Sequence, residues 1–206
     1  MRRGTVLTAV LIAVAAVVVV GVLASRRGPE VVLVGDSITF QSRGVFEDEL
    51  GGDWGLTVQG NPGHRADQLL SAVPDLAAHQ PVQVVVNLGT NDVMQGRAPA
   101  ETEADLEQLG AGFPGARCVH LVTVNEHMVR PDDPALPARV TDLNARIRAL
   151  AARRGWGIVP WDELVKLYDV GTQPDGPITS DTVHPTEFGE HVLADAYEKA
   201  LEECAL

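Results

Sequence analysis

Cysteine is nearly absent. Cys118 and Cys204 are the only two, and no Cys-x-x-Cys or Cys/His ligand spacing surrounds them. A zinc site is therefore not expected. The pair leaves two readings open: one disulfide if the domain lies outside the cytoplasm, or two separate buried thiols. Aromatic residues are scarce, with three Trp, two Tyr and four Phe in 206 residues, and the segments between predicted elements are too short to hold an inserted lid. Positive charge is sparse as well. From Gly28 onward, 12 basic residues stand against 28 acidic ones, a net −16. Such a surface repels nucleic acid and anionic headgroups, so no nucleic-acid partner is expected. The chain has no internal repeat, no low-complexity segment and no second domain.

Long hydrophobic runs are also lacking, with one exception. Thr5 to Ala24 carries no charge and sits between Arg2-Arg3 and Arg26-Arg27. As a helix it spans on the order of 30 Å, enough to cross a bilayer. It reads as an uncleaved transmembrane anchor over residues 1–27, with the domain of residues 28–206 on the extracytoplasmic side. A signal peptide cleaved near Val22-Leu23-Ala24, giving a secreted domain, is the alternative.

The remainder alternates short apolar runs with helical patterns. Strands are expected at Val31–Val34, Leu56–Gln59, Val82–Leu88, Arg117–Val124 and Gly157–Pro160. Helices are expected at Phe40–Leu50, Ala66–Ala78 (interrupted by Pro74), Glu101–Leu109, Ala138–Arg154 and Thr186–Glu203, with a brief one at Trp161–Tyr168. Asn125 to Pro137 and Val170 to Thr182 read as loops. Continuous apolar strands between helices predict an α/β fold with a five-stranded parallel sheet covered on both faces.

In such a sheet the carboxyl ends of all strands share one edge. Polar residues collect there: Ser37 after the first strand, Gly63 after the second, Asn91 after the third. Asp181-Thr182-Val183-His184-Pro185 then precedes the last helix. Each has an ordinary explanation alone. Ser37 can cap a helix, Gly63 can serve a turn, Asn91 can cap, Asp181 can be a loop carboxylate, and His184 before Pro185 can open a helix. Together they fit acyl transfer through a serine. A serine hydroxyl needs an adjacent base, which His184 supplies. A carboxylate on the far ring nitrogen, Asp181, fixes the tautomer. The Ser37 and Gly63 N–H groups and the Asn91 amide are candidate donors to an oxyanion.

On these motifs the chain resembles the SGNH hydrolases, also called the GDSL esterase/lipase family. Gly35-Asp36-Ser37 resembles the first block, Gly60-Asn61-Pro62-Gly63 loosely the second, Gly89-Thr90-Asn91-Asp92 the third and Asp181-Thr182-Val183-His184-Pro185 the last. The likeness runs from about Val31 to Leu201. It implies a flavodoxin-like three-layer α/β/α sandwich and activity on ester bonds. It also implies a Ser37-His184-Asp181 triad, an oxyanion hole of Ser37, Gly63 and Asn91, and no metal or organic cofactor. Ile38 stands where the family has Leu. His64 and Arg65 follow Gly63, where small or hydroxyl residues are more usual. They are expected either as solvated helix-start residues or as a substrate mouth in which Arg65 meets a carboxylate or phosphate. Asn125, Glu126 and Met128 are placed at the pocket border, His120 is expected as a packed histidine and His191 at the surface.

The expected activity is a serine esterase or deacylase acting on short acyl or acetyl esters of a small molecule, glycan or lipid. An O-acyltransferase would use the same residues, and a membrane-tethered binding domain is the reading from another class. The natural substrate and the oligomeric state are not legible.

Overall fold

The computed structural model describes residues 28–170 and 176–205. Five strands form one parallel sheet: β1 (Glu30–Gly35), β2 (Gly55–Gly60), β3 (Gln83–Asn87), β4 (Cys118–Val122) and β5 (Gly157–Val159). Their order is β2-β1-β3-β4-β5, the doubly wound arrangement in which ligands bind beyond the strand ends where the winding reverses. That reversal lies between β1 and β3, the strands that lead to Ser37 and Asn91.

Strand residues alternate between two cores. Val32, Val34, Val84, Val86, Val119 and Leu121 face one layer of helices: α3 (Ala66–Leu69), α4 (Val73–Ala77), α6 (Pro99–Ala111) and α7 (Leu136–Arg154). Val31, Leu33, Val85, Val122 and Val159 face the other: α1 (Ser37–Gln41), α2 (Arg43–Glu49), α8 (Trp161–Val165) and α9 (Glu187–Ala205). Helix α5 (Thr90–Met94) follows β3. Each fully buried Val or Leu contributes roughly 1.5–3 kcal/mol relative to exposure, so both layers hold the sheet. Phe46 of α2 stacks on Tyr197 of α9 with ring centroids 4.8 Å apart, closing the second layer.

Several expected elements differ in detail. The Phe40–Leu50 helix begins earlier, at Ser37, and is divided at Ser42 into α1 and α2. Gly35 permits this close start: a Cβ there would lie 2.0 Å from the Thr39 hydroxyl and 2.7 Å from the Asn87 carbonyl. The Ala66–Ala78 helix is interrupted, as expected, just ahead of Pro74. A 3-10 turn, Leu70–Ala72, separates α3 from α4, which takes Pro74 into its first turn. The residues just past β3, Thr90–Met94, form a short helix where no element was expected. The segment after α8, Lys166–Val170, winds as a π turn.

Cys118 and Cys204 form a disulfide with Cα atoms 6.3 Å apart, resolving that alternative. It joins the start of β4 to the end of α9, at the sheet edge opposite Ser37. No helix among the described residues is long and apolar enough to cross a membrane. The Thr5–Ala24 run lies outside the described residues.

Candidate active site

Ser37 is the first residue of α1, set at the end of β1 by Asp36, whose side chain caps the helix by accepting from Ile38 N at 3.0 Å. The Ser37 N–H thus belongs to the first turn, where helix donors have no intrahelical partner. His184 Nε2 lies 3.0 Å from Ser37 Oγ, and His184 Nδ1 lies 2.8 Å from Asp181 Oδ2. The other Asp181 oxygen accepts from Val183 N at 2.9 Å and His184 N at 2.7 Å. A short hairpin supports this turn: Thr179 pairs with Pro185, and Ser180 N donates to His184 O at 2.9 Å. Gln41 Nε2 donates to Pro185 O at 3.1 Å, tying α1 to the hairpin across 144 residues of sequence. Burial works to raise the Asp181 pKa. The bonds from the His184 ring and the two backbone N–H groups outweigh it and hold the carboxyl below its ordinary range.

Asn91, in the first turn of α5, donates through Nδ2 to Asp36 Oδ2 at 3.1 Å. One of its two amide protons is therefore engaged, and the second remains for another acceptor. Gly63 has φ +77° and a Cβ there would meet nothing within 4 Å, so its glycine identity answers to backbone conformation. The segment holding it continues beside β1, since Asn61 N donates to Gly35 O at 3.0 Å. Gln95 Nε2 donates to the Gly63 carbonyl at 3.0 Å, and no backbone carbonyl accepts the Gly63 N–H among the described residues.

Arg65 does not stand free to meet a substrate anion. Its guanidinium donates twice to Asp67, at 3.0 Å each, and to Gln95 Oε1 at 2.8 Å. It fastens the Gly63 turn through Gln95. His64 leans on the Pro62 carbonyl. Asp67 belongs with Asp92 and Asp105 to a carboxylate cluster bridged by Arg97. Buried Asp92 also accepts from Ala66 N at 3.0 Å, linking α5 to the start of α3. His120 is packed as expected, 4 % exposed, with Nε2 3.1 Å from Gln83 Oε1. His191 pairs with Glu49 at the surface.

Asp36 is the residue that sequence reasoning passed over. It is fully buried, and burial pushes its carboxyl up to about 7, against the opposing bonds from Ile38 and Asn91 and the nearby His184. Its signal was its position between Gly35 and Ser37, but nothing in the pattern indicated an acceptor for Asn91. Asn125 was placed near the pocket. It is buried and reaches the Asp181–His184 turn, donating to Thr182 O at 2.7 Å. Glu126 instead bonds the Asn144 amide, and Met128 is in the first core.

No curated protein matches the chain. Among solved structures, a GDSL-like lipase from Bacteroides thetaiotaomicron is 25% identical, covers 86% of this chain and 89% of its own, and superposes with a TM-score of 0.72. An acetyl xylan esterase is 20% identical over 84% of this chain and 99% of its own, with a TM-score of 0.73. A catalytic mutant of an acetylxylan esterase from Geobacillus stearothermophilus is 19% identical over 85% and 94%, with a TM-score of 0.67. The latter two likenesses speak to the fold. The profile of the GDSL-like Lipase/Acylhydrolase family matches residues 33–192, from the strand before Ser37 into the helix after His184. The chain therefore belongs to the GDSL-like lipase/acylhydrolase family and is a carboxylic ester hydrolase.

Proposed function

We propose that the protein is a serine esterase or deacylase that removes short acyl groups, acetyl foremost, through a covalent acyl-enzyme. The observation that carries this reading is the unbroken chain of contacts from Asp181 through His184 to Ser37. His184 Nε2 takes the Ser37 proton as Oγ attacks the ester carbonyl carbon. The oxyanion is received by the Ser37 and Gly63 N–H groups and the second Asn91 amide proton. Collapse breaks the ester C–O bond, and His184 returns the proton to the departing alkoxide. Water, deprotonated by His184, then attacks the acyl-enzyme and frees Ser37. Asp181 keeps the ring in the tautomer that presents Nε2 to Ser37.

The acyl acceptor distinguishes the hydrolase from an O-acyltransferase built on the same residues. The substrate class we favour is an acylated glycan, lipid or small molecule of the cell envelope. The chemistry named for two structural relatives, acetyl xylan ester cleavage, acts on an acylated glycan. We also place the domain outside the cytoplasm, tethered by residues 1–27. The Cys118–Cys204 disulfide supports an oxidising compartment.

The test is hydrolysis of p-nitrophenyl acetate by the full chain in mild detergent, beside Ser37→Ala and His184→Ala. Both variants are expected to lose about three orders of magnitude or more in kcat. Wild-type turnover no faster than Ser37→Ala would overturn the serine reading. Turnover that appears only with an added alcohol or sugar would make the protein a transferase.

A further inference from the structure

Thr182 has φ +68°, one of two non-glycine residues in the left-handed region among those described. For a β-branched side chain this is an unusual conformation that needs outside support. Thr182 stands between Asp181 and His184, so its backbone angle sets how the two face each other. Two groups of the segment after β4 hold it. Asn125 Nδ2 donates to the Thr182 carbonyl at 2.7 Å, and Val129 N donates to Thr182 Oγ1 at 3.0 Å.

That segment is itself anchored at both ends and braced within. Asn144 of α7 clamps Val124, accepting from its N–H and donating to its carbonyl, each at 2.8 Å. Asn125 Oδ1 accepts from His127 N at 2.7 Å, which fixes the rotamer that aims Nδ2 at Thr182. On the far side, Arg130 Nη1 donates to Met94 O at 2.6 Å, at the end of the helix carrying Asn91.

We propose that residues 125–130 form a strap that holds the Asp181–His184 turn against the Asn91 helix, with Thr182 and Asn125 as positioning residues for the reaction. The strap rests on the triad reading above. It acts through backbone conformation: the Val129 N–H and the Asn125 amide keep Thr182 left-handed, and the His184 ring is thereby directed at Ser37. Without the Thr182 hydroxyl the turn relaxes towards ordinary φ, and Nε2 moves away from Oγ. Displacements of about 1 Å at a reacting group cost on the order of a hundredfold in rate.

The experiment compares Thr182→Val, which keeps the shape and removes the acceptor, with Thr182→Ser, which keeps the acceptor. Asn125→Asp is a second, independent variant that replaces the donor to Thr182 O while retaining the acceptor for His127. Each is measured for kcat, KM and Tm, and for the low-field proton resonance of His184 Nδ1–H, assigned by its loss in His184→Ala. Thr182→Val and Asn125→Asp are expected to lower kcat about tenfold to hundredfold with KM within about twofold. Both are expected to broaden or shift the resonance, and Thr182→Ser to restore kcat and the resonance. Wild-type kcat and resonance in Thr182→Val, or equal losses in the Val and Ser variants, would overturn the proposal. Should Ser37→Ala leave turnover intact, the serine reading fails by itself, and the resonance still decides whether the strap holds His184.

Discussion

Asn91 and Asp36 hold each other at 3.1 Å, so the residue before Ser37 fixes an oxyanion-hole candidate in the first turn of α5, just past the neighbouring strand β3. The two Asp36 oxygens serve two different donors, Ile38 N on Oδ1 and Asn91 Nδ2 on Oδ2. An amide in its place offers one oxygen for both and turns an N–H towards one of them. Asp36→Asn is therefore expected to release Asn91 and lower kcat on p-nitrophenyl acetate. Removing an oxyanion donor outright costs on the order of a hundredfold to a thousandfold in kcat, so a misaligned one is expected to cost roughly tenfold to hundredfold. Steady-state kinetics check this, and an unchanged kcat would remove Asp36 from the support of the site.

Two buried groups give stability opposite dependences on pH. Asp36 is pushed up to about 7 by burial, from an ordinary value of 3.8. Its folded form holds the proton more tightly, so its contribution is present below 3.8 and lost as pH rises to about 7. His120 is lowered by burial to about 4, from 6.5. Its contribution is present above 6.5 and lost as pH falls to about 4. At about 1.4 kcal/mol per unit, these amount to roughly 4 kcal/mol for Asp36 and roughly 3 kcal/mol for His120. Urea unfolding from pH 4 to 7, with the wild-type curve subtracted, should show Asp36→Asn gaining relative stability as pH rises. His120→Gln should lose relative stability over the same range. Parallel curves for all three proteins would mean that neither group titrates as described.

The sheet and most of the candidate site's positions were legible because their signals are local. Val31–Val34 and Val84–Val86 are continuous apolar runs, and Ser37, Gly63 and Asn91 each stand just past a strand. Gly-Asp-Ser, Gly-Thr-Asn-Asp and Asp-Thr-Val-His stand at the edge where strand ends meet. What escaped was decided by distant contacts. The partner of Asp36 lies 55 residues away and that of Asn125 57 residues away. Arg65 was open to two readings, a helix-start residue or a receptor for a substrate anion, and its partners Asp67 and Gln95 decide between them. The positive φ of Thr182 leaves no trace in composition, because threonine there runs against local preference and is held from outside.

The disulfide offers a separation of stability from catalysis. Cys118 opens β4 and Cys204 ends α9, 86 residues later, and Arg117 reinforces the junction by donating to Cys204 O at 2.9 Å. The crosslink lies at the amino edge of the sheet, with the length of the strands between it and Ser37. A closed loop of this size restricts the unfolded chain by about 4.5 kcal/mol, which for a domain near 180 residues moves Tm by roughly 12 °C. Replacing both cysteines with serine should produce that fall in Tm and leave kcat at 25 °C within about twofold. Calorimetry and the acetate assay on the same samples test both halves. A collapse of kcat in protein still folded at 25 °C would show that the strands transmit the crosslink to the site. An unchanged Tm would show that the core alone already holds the ends of β4 and α9 together.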